Sequence, residues 1–206
     1  MSSSFVILAD GNFPFHTHPL TCLQQAATVV CCDGATEKLL QSGQVPDYIV
    51  GDLDSLSPEL KVRFSDRIFP SDDQETNDLT KAVHFCIERD ATKITIVGAT
   101  GLREDHTLGN ISLLADYAAL IPDIEMMTDY GIFTVICESC SLESYAGQQI
   151  SIFALDCNTL ISTTDLKYAI VNRSLSSWWQ GTLNEALGDS FTIQFDKGRL
   201  IVFRCY

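Results

Sequence analysis

Short apolar runs that stop at an aspartate mark the early part of this chain. Three of them read Leu8-Ala9-Asp10, Cys31-Cys32-Asp33 and Val50-Gly51-Asp52. Such short runs, rich in β-branched residues, are typical of parallel strands that are covered on both faces. In an open α/β sheet, ligands bind beyond the carboxyl ends of the strands, so we expect these aspartates to gather at one edge. One strand-end aspartate is usually a turn residue or a helix cap, but three in succession favour a site.

Helix signals alternate with these strand signals. Another strand pattern lies at residues 93–97, Asn77 or Thr76 can cap a helix, and one-face apolar spacing follows the cap and returns over residues 108–118. This alternation predicts an α/β fold with an open, mainly parallel, Rossmann-like sheet.

The last third of the chain has a different pattern. Strand-like runs replace helical periodicity there, at residues 133–136, 149–153, 191–195 and 200–203. Asp196-Lys197-Gly198, between the last two runs, is typical of a hairpin turn. The sequence therefore predicts an α/β nucleotide-binding domain over residues 1–130 and a small, mainly β, sandwich-like domain over residues 131–206.

The charge balance restricts the partners of the chain. Acidic residues outnumber basic ones 27 to 13, for a net charge of −14 at neutral pH. Such a chain repels nucleic acid and anionic membranes, and we expect it to need divalent cations to bind a nucleotide. No basic leader and no apolar stretch near the ~20 residues of a membrane span is present. The eight cysteines complete no zinc pattern, so we expect a cytoplasmic protein with reduced, mostly buried thiols.

Two carboxylates stand at alternate positions in Gly51-Asp52-Leu53-Asp54-Ser55. Alternate residues of an extended segment point the same way, so Asp52 and Asp54 are expected to face one cation. Asp78 lies in the first turn of a predicted helix. There the helix dipole stabilises a carboxylate by a few tenths to about 1 kcal/mol, so helix capping is an alternative to metal binding for Asp78.

A glycine turn follows the strand pattern at residues 93–97. Gly98 and Gly101 allow backbone N–H groups to approach phosphate oxygens near a helix start, and Arg103 can clamp them with paired donors. The turn is neither a Walker loop nor a complete dinucleotide fingerprint. His106 can be a hydrogen-bonding residue of the helix start as well as an acid or base.

Taken in order, five segments of the chain resemble the thiamine pyrophosphokinase family. They are Asp33-Gly34-Ala35, Gly51-Asp52-Leu53-Asp54-Ser55, Asp73-Gln74 with Asp78, the stretch from Gly98 to Asn110 that contains Arg103, Asp105 and His106, and Leu166-Lys167-Tyr168. The resemblance runs through nearly the whole chain, and the ordered set is far more specific than any of its parts.

This resemblance implies transfer of a pyrophosphoryl group from ATP to the hydroxyl of thiamine. The products would be thiamine diphosphate and AMP, and Mg²⁺ would be required. The resemblance also implies a homodimer with its sites at the subunit interface, in which the β domain contributes to the thiamine pocket and to the dimer contacts.

The residues and the resemblance together give a set of candidate site residues. The expected catalytic residues are Asp33, Asp52, Asp54, Asp78 and Asp105. The expected ATP contacts are Asp10, Gly11, Asn12, Asp33, Gly34, Gln74, Thr100, Arg103 and His106. The expected thiamine contacts are Gln74, Trp178, Trp179, Thr182 and Asn184, and the expected metal ligands are Asp52, Asp54 and Asp78. One strand-end aspartate is expected to accept or orient the proton of the hydroxyl, without a residue being assigned.

The expected thiamine side departs from the family pattern. Residues 182–185 read Thr-Leu-Asn-Glu, whereas the corresponding segment of many family members resembles Thr-Ser-Asn-Glu. Leu183 therefore lacks the hydroxyl that a serine would provide. Trp178 or Trp179 can stack on a cationic heteroaromatic ring. Packing in the β core or in a dimer interface is an equally good interpretation of either tryptophan.

Two other functions fit parts of the sequence. Asp52 and Asp54 can form the metal motif of a nucleotide-sugar-dependent transferase, which leaves the segments at 73–78 and 98–106 unexplained. The chain can also be a nucleotide- or thiamine-binding module without turnover.

Overall fold

The apolar runs near the start of the chain form neighbouring strands of one parallel sheet. This computed structural model describes residues 3–71, 73 and 75–206. The chain divides into two units, Met1–Asp129 and Tyr130–Tyr206. We call them the N-terminal unit and the C-terminal unit.

The N-terminal unit alternates strands and helices. Its strands are β1 (Ser4–Leu8), β2 (Val29–Cys32), β3 (Tyr48–Gly51), β4 (Ile68–Pro70), β5 (Lys93–Val97) and β6 (Ile124–Met127). Its helices are α1 (Thr17–Gln24), α2 (Thr36–Gln41), α3 (Pro58–Arg63), α4 (Asp78–Ile87) and α5 (Glu104–Leu120), and a 3₁₀ turn at Asp33–Ala35 joins β2 to α2. The strand order is β4-β3-β2-β1-β5-β6, and all pairs are parallel. The order runs outward from β1 to β4 and restarts with β5 on the other side of β1, which creates a crevice at the carboxyl ends of β1 and β5.

The elements of the N-terminal unit follow the apolar pattern. Ile7, Ile49 and Ile96 are completely buried, as expected for strands covered on both faces. The side chain of Asn77 accepts a hydrogen bond from the N–H of Thr80 (2.9 Å), so the predicted cap of α4 is correct. The predicted apolar face of α5 begins too early, because Leu108 is exposed and burial starts at Leu114.

The C-terminal unit consists of two antiparallel sheets. Its strands are β7 (Gly131–Ile136), β8 (Cys140–Glu143), β9 (Gln149–Ala154), β10 (Leu160–Thr164), β11 (Arg173–Ser174), β12 (Asn184–Glu185), β13 (Ser190–Phe195) and β14 (Leu200–Cys205). In one sheet β14 lies between β7 and β9, and β12 pairs with β9. In the other, β13 lies between β8 and β10, and β11 pairs with β10. Ile152 and Val202 of the first sheet share one core with Ile161 and Phe191 of the second.

The predicted hairpin at Asp196-Lys197-Gly198 is wrong. β13 and β14 belong to different sheets, so the segment between them passes from one sheet to the other. Gly198 has the positive φ (80°) of a tight turn, but the Asp196 carboxylate accepts a hydrogen bond from the N–H of Leu160 (3.0 Å), at the start of β10. The sequence predicts the turn residues correctly but not the pairing of the strands on either side.

The eight cysteines are free. Cys31, Cys32 and Cys86 are buried, whereas Cys137 and Cys157 are exposed. The expectation of mostly buried thiols is therefore right for the core of the N-terminal unit and wrong for Cys137 and Cys157. No helix among the described residues combines the length and the apolar character needed to cross a bilayer.

Candidate functional site

Three carboxylates meet at the carboxyl edge of the N-terminal sheet. Asp33 directly follows β2, Asp52 follows β3, and Asp78 begins α4. Each offers an oxygen that lies within 4.8 Å of the other two. We call this set the carboxylate triad. Asp33 and Asp52 meet because the neighbouring parallel strands β2 and β3 end at the same edge, and the start of α4 adds Asp78.

Asp33 is the buried member of the triad, at 3% exposure. Its carboxylate accepts hydrogen bonds from the N–H groups of Gly34 (2.7 Å) and Ser55 (3.4 Å). Burial raises the pKa of the Asp33 carboxyl, the two N–H groups oppose that rise, and the charges of Asp78 and Asp52 add to it. The close approach also requires Gly51 at the end of β3, because a Cβ there would lie 2.9 Å from the carboxyl carbon of Asp33.

The segment that carries Asp52 and Asp54 is not extended. Leu53 has a φ of 68°, in the left-handed region, and the N–H of Asp54 folds back to donate to the Asp52 carboxylate (3.0 Å). The expectation that Asp52 and Asp54 alternate along an extended segment is therefore wrong. Asp54 is exposed and lies outside the triad, where Asp33 takes its place. Its role as a metal ligand stays a prediction.

Lys81 is a cation of the site that sequence reasoning missed. Its ammonium lies 3.0 Å from the Asp78 carboxylate, and the residue is 9% exposed. Burial lowers the pKa of Lys81, but the hydrogen bond to Asp78 and the charges of Asp78, Asp52 and Asp73 together raise it. The signal was present in the sequence, since Lys81 stands three residues after Asp78 on a predicted helix.

Lys38 of α2 is a second missed residue, and it fixes the loop after β1. Its ammonium contacts the Asp10 carboxylate (2.6 Å) and donates to the carbonyl oxygens of Asp10 (3.0 Å) and Gly11 (2.8 Å). Exposed ion pairs contribute little to stability, so the effect of Lys38 is mainly to position the loop. The Asp10 side chain also lies directly against Gly34.

The loops after β1 and β5 lock together at the crevice. The N–H of Gly11 donates to the carbonyl of Gly98 (2.7 Å), and the N–H of Asn12 donates to the carbonyl of Thr100 (2.9 Å). A Cβ on Gly11 would lie 2.5 Å from both the Gly98 and Thr100 carbonyl oxygens, so only glycine fits. The predicted ATP contacts Gly11, Asn12 and Thr100 thus belong to one backbone unit.

Arg103 and Asp105 form a two-pronged ion pair at the start of α5. The Nε of Arg103 lies 3.1 Å from one Asp105 oxygen, and a terminal nitrogen lies 2.6 Å from the other. The hydrogen bond from Arg103 is the main reason that the pKa of Asp105 falls to about 2. Both side chains are exposed, and the N–H of His106 donates to the same carboxylate (2.9 Å). An incoming anion would therefore compete with Asp105 for the guanidinium of Arg103.

These parts surround a cleft of about 480 Å³. The candidate residues that line it are Asp10, Gly11, Asp52, Asp78, Arg103 and His106, and further lining residues include Lys81, Leu102 and Asn110. Asn110 ties two walls together, because its amide donates to the carbonyl of Ala99 (2.8 Å) and accepts from Asn77 (3.3 Å). The candidates that do not line it are Asn12, Asp33, Gly34, Asp54, Thr100 and Asp105. Gln74 lies outside the described residues.

In the C-terminal unit the two tryptophans have different surroundings. Trp178 is 40% exposed, its indole N–H donates to the carbonyl of Ala154 (3.2 Å), and its ring centroid lies 5.6 Å from that of Phe153. Trp179 is 73% exposed. The Thr182 hydroxyl donates to the carbonyl of Trp179 (2.8 Å) and closes the 3₁₀ turn that carries both rings. Trp178 is therefore anchored in its own unit, and Trp179 presents its ring to solvent.

Asn184 is nearly buried and uses its side chain within the unit. Its amide accepts from the N–H of Tyr168 (3.0 Å) and donates to the carbonyl of Tyr168 (2.8 Å). The neighbouring Glu185 pairs with Lys167 (2.9 Å). The two C-terminal segments that the sequence singled out thus contact each other. Asn184 positions Tyr168, and its contact with thiamine stays a prediction.

Comparisons with known proteins give a consistent result. The family model "Thiamin pyrophosphokinase, catalytic domain" matches residues 20–127, and "Thiamin pyrophosphokinase, substrate-binding domain" matches residues 131–203. Thiamine pyrophosphokinase 3 of Oryza sativa subsp. japonica is 36% identical over 115 residues, which is 44% of this chain and 43% of that protein. Thiamine pyrophosphokinase of Bacillus subtilis (strain 168) is 34% identical over 87 residues, 40% of each chain. The matched stretches thus span less than half the length of these relatives.

Solved structures match over nearly the whole chain. The crystal structure of thiamine pyrophosphokinase from Bacillus subtilis has a TM-score of 0.82 at 25% identity and covers 98% of this chain and 99% of its own. That of thiamin pyrophosphokinase from Candida albicans has a TM-score of 0.82 at 17% identity, with 99% and 89% covered. The second likeness is one of fold alone.

Proposed function

The chain belongs to the thiamin pyrophosphokinase family, and from this premise we propose that it transfers a pyrophosphoryl group from ATP to the hydroxyl of thiamine. The products are thiamine diphosphate and AMP. The observation that carries the proposal is the carboxylate triad, whose oxygens lie within 4.8 Å of one another at the edge where open α/β sheets bind ligands.

The triad fits a magnesium ion. Its donors are all carboxylate oxygens, which are the ligands that hard divalent cations prefer. Three ionised carboxylates at this spacing repel one another, and a bound cation offsets that repulsion. In the proposal Asp33, Asp52 and Asp78 hold Mg²⁺, with Asp54 as a further predicted ligand. When bound, Mg²⁺ neutralises charge on the phosphates and on the departing AMP.

The remaining residues of the cleft bind and orient the substrates. Arg103 releases Asp105 and binds a phosphate instead, with the same bidentate geometry, which suits either anion. Lys38 holds the Asp10 loop, and Lys81 keeps Asp78 in place. One strand-end aspartate accepts or orients the proton that leaves the thiamine hydroxyl when the oxygen attacks the β-phosphorus of ATP.

Several finer features belong to the same proposal. The N-terminal unit is a Rossmann-like nucleotide domain, and the C-terminal unit is sandwich-like and contributes the thiamine pocket. Trp179 stacks on a ring of the thiamine cation. The protein works as a cytoplasmic homodimer with its sites at the interface.

One reaction tests the proposal. The chain is incubated with ATP, thiamine and Mg²⁺ and followed by phosphorus NMR. We expect AMP and thiamine diphosphate to appear together in equal amounts, and no reaction after chelation of the metal. ADP as the nucleotide product contradicts the proposal. Binding of both substrates without product identifies a non-catalytic module. No observation on the site favours a nucleotide-sugar-dependent transferase.

A further inference from the structure

Leu102 is doubly unfavourable where it stands. Its φ is 62°, a left-handed backbone conformation that costs a bulky residue free energy. Its side chain is 66% exposed, so little apolar burial within the chain offsets that cost. Stability of the fold therefore gives no reason for a leucine at this position.

Leu53 shows what a compensated case looks like. It has a similar φ of 68°, but its side chain packs against the cluster of Ile49, Leu56 and Phe64. Burial there offsets the backbone cost. The two leucines share a conformation, but Leu102 is exposed. Leu183 of the C-terminal unit also combines a positive φ (60°) with an exposed side chain, so it is the position of Leu102 in the cleft that distinguishes it.

The turn at Leu102 is held from α5. The Thr107 hydroxyl accepts from the N–H of Gly101 (3.1 Å), and the N–H of Thr107 donates to the carbonyl of Arg103 (3.1 Å). The residues on both sides of Leu102 are thus fixed. Leu102 itself lines the cleft that also contains Arg103 and two members of the triad.

We propose that the Leu102 side chain is the apolar contact for the nucleoside of the phosphate donor, and that it makes the cleft prefer a nucleotide over an inorganic polyphosphate. The inference rests on the proposed function. Two features favour the nucleoside over the acceptor. Leu102 is adjacent to Arg103, the proposed phosphate contact, and its loop lies at the β1–β5 crevice, the place where open α/β sheets bind nucleotides.

Calorimetry with three separate probes tests this proposal. The probes are Mg–ATP, Mg–tripolyphosphate and thiamine, each titrated into the full chain. Leu102→Ala should weaken Mg–ATP binding about tenfold, the order expected when a leucine side chain leaves an apolar contact. Binding of Mg–tripolyphosphate and of thiamine should not change. Leu102→Met should restore Mg–ATP binding, because it returns an apolar side chain of similar size.

Two further variants serve as controls. Leu120→Ala, at the exposed end of α5, removes another exposed leucine away from the cleft and should leave all three affinities as they were. Leu102→Gly should melt at the same or a higher temperature than the wild type while still binding Mg–ATP weakly, since glycine relieves the backbone cost and lacks the contact.

The outcomes separate cleanly. If Leu102→Ala weakens tripolyphosphate as much as ATP, the residue acts through the phosphate loop and the inference is overturned. A loss confined to thiamine also overturns it, because the contact then belongs to the acceptor. If Leu102→Ala binds Mg–ATP as tightly as the wild type does, this inference is overturned and the proposed function is unaffected. A wild-type chain that binds no Mg–ATP removes the proposed function and this inference with it.

Discussion

The two units of this chain place their candidate residues by different means. In the N-terminal unit, Asp33 and Asp52 meet because two neighbouring parallel strands end at the same edge. In the C-terminal unit, the candidates lie on one 3₁₀ turn and the strand after it, and hydrogen bonds within the unit occupy most of them. Topology therefore brings the candidate residues of the first unit together, whereas in the second unit exposure distinguishes Trp179 from the candidates that hydrogen bonds occupy.

The largest expected effect concerns the N-terminal unit, where the strand topology brings the candidate residues together. Asp52→Asn should lower kcat by roughly 100- to 1000-fold, because it removes a charge from the proposed metal site. Steady-state kinetics with ATP, thiamine and Mg²⁺ measure the loss, and circular dichroism should show an intact fold. Asp66→Asn, an exposed aspartate outside the cleft, is the matched control.

Asp54→Asn tests whether Asp54 is a metal ligand, as the sequence predicts. The sequence groups Asp54 with the metal ligands, but the structure leaves it outside the triad. A loss equal to that of Asp52→Asn would mean that the loop brings Asp54 to the metal. A loss as small as that of Asp66→Asn would restrict the site to the triad. Full activity of Asp52→Asn would contradict the view that strand topology places the active residues of the N-terminal unit.

The next effect concerns the stability of the N-terminal unit. Lys81→Met should lower the free energy of unfolding by about 1–3 kcal/mol, because Asp78 then faces the other two carboxylates without its hydrogen-bond partner. Urea unfolding without Mg²⁺ measures the change. Lys61→Met, on the exposed face of α3, should be neutral. Excess Mg²⁺ should narrow the difference between Lys81→Met and the wild type if the triad binds the ion.

Substitutions of the two tryptophans test the role of exposure in the C-terminal unit. Trp179→Ala should raise the KM for thiamine roughly tenfold and change the melting temperature little, because its ring faces solvent. Trp178→Ala should lower stability by about 2 kcal/mol, because it removes a packed ring and an indole hydrogen bond. If Trp178 rather than Trp179 controls the KM, exposure is not the property that selects functional residues in this unit.

The smallest effect is a shift in acid titration. The pKa of the Asp105 carboxyl falls to about 2, so this group should stay ionised at pH values where an ordinary aspartate is already protonated. Its pKa is depressed in the folded state, so its contribution to stability exists above the ordinary aspartate value and disappears as the pH falls through about 2. Carbon NMR of the side chain measures the midpoint. Arg103→Met should return that midpoint to the ordinary range, and an unchanged midpoint would mean that the pair does not form in solution.

The strand ends of the N-terminal unit could be predicted because local and global signals agree there. The runs at Cys31-Cys32 and Ile49-Val50 are apolar, short and followed by aspartate, and each property points to a buried parallel strand. The cap of α4 was predictable for the same reason, since Asn77 satisfies a free N–H that any helix start leaves open.

The failures have a common physical origin in tertiary contacts. A leucine disfavours positive φ, so the local sequence does not predict the turn at Leu53. The burial that stabilises this turn comes from residues of α3 and β3. Asp196-Lys197-Gly198 can close a hairpin or cross between sheets with the same turn residues, and only strand pairing decides. The roles of Trp178 and Trp179 depend on which ring reaches Phe153, which their identical residue types do not reveal.

The position of β14 has a consequence for how the protein is made. β14 lies between β7 and β9, although it is synthesised after both of them. While the ribosome is still translating the residues before Leu200, β7 and β9 have no strand to join them, and their unpaired edges are open to other chains. The parallel sheet of the N-terminal unit is complete once β6 has emerged, some seventy residues earlier. We therefore expect the nascent chain to carry a folded N-terminal unit followed by an unfinished C-terminal unit, so that late translation is its most aggregation-prone period.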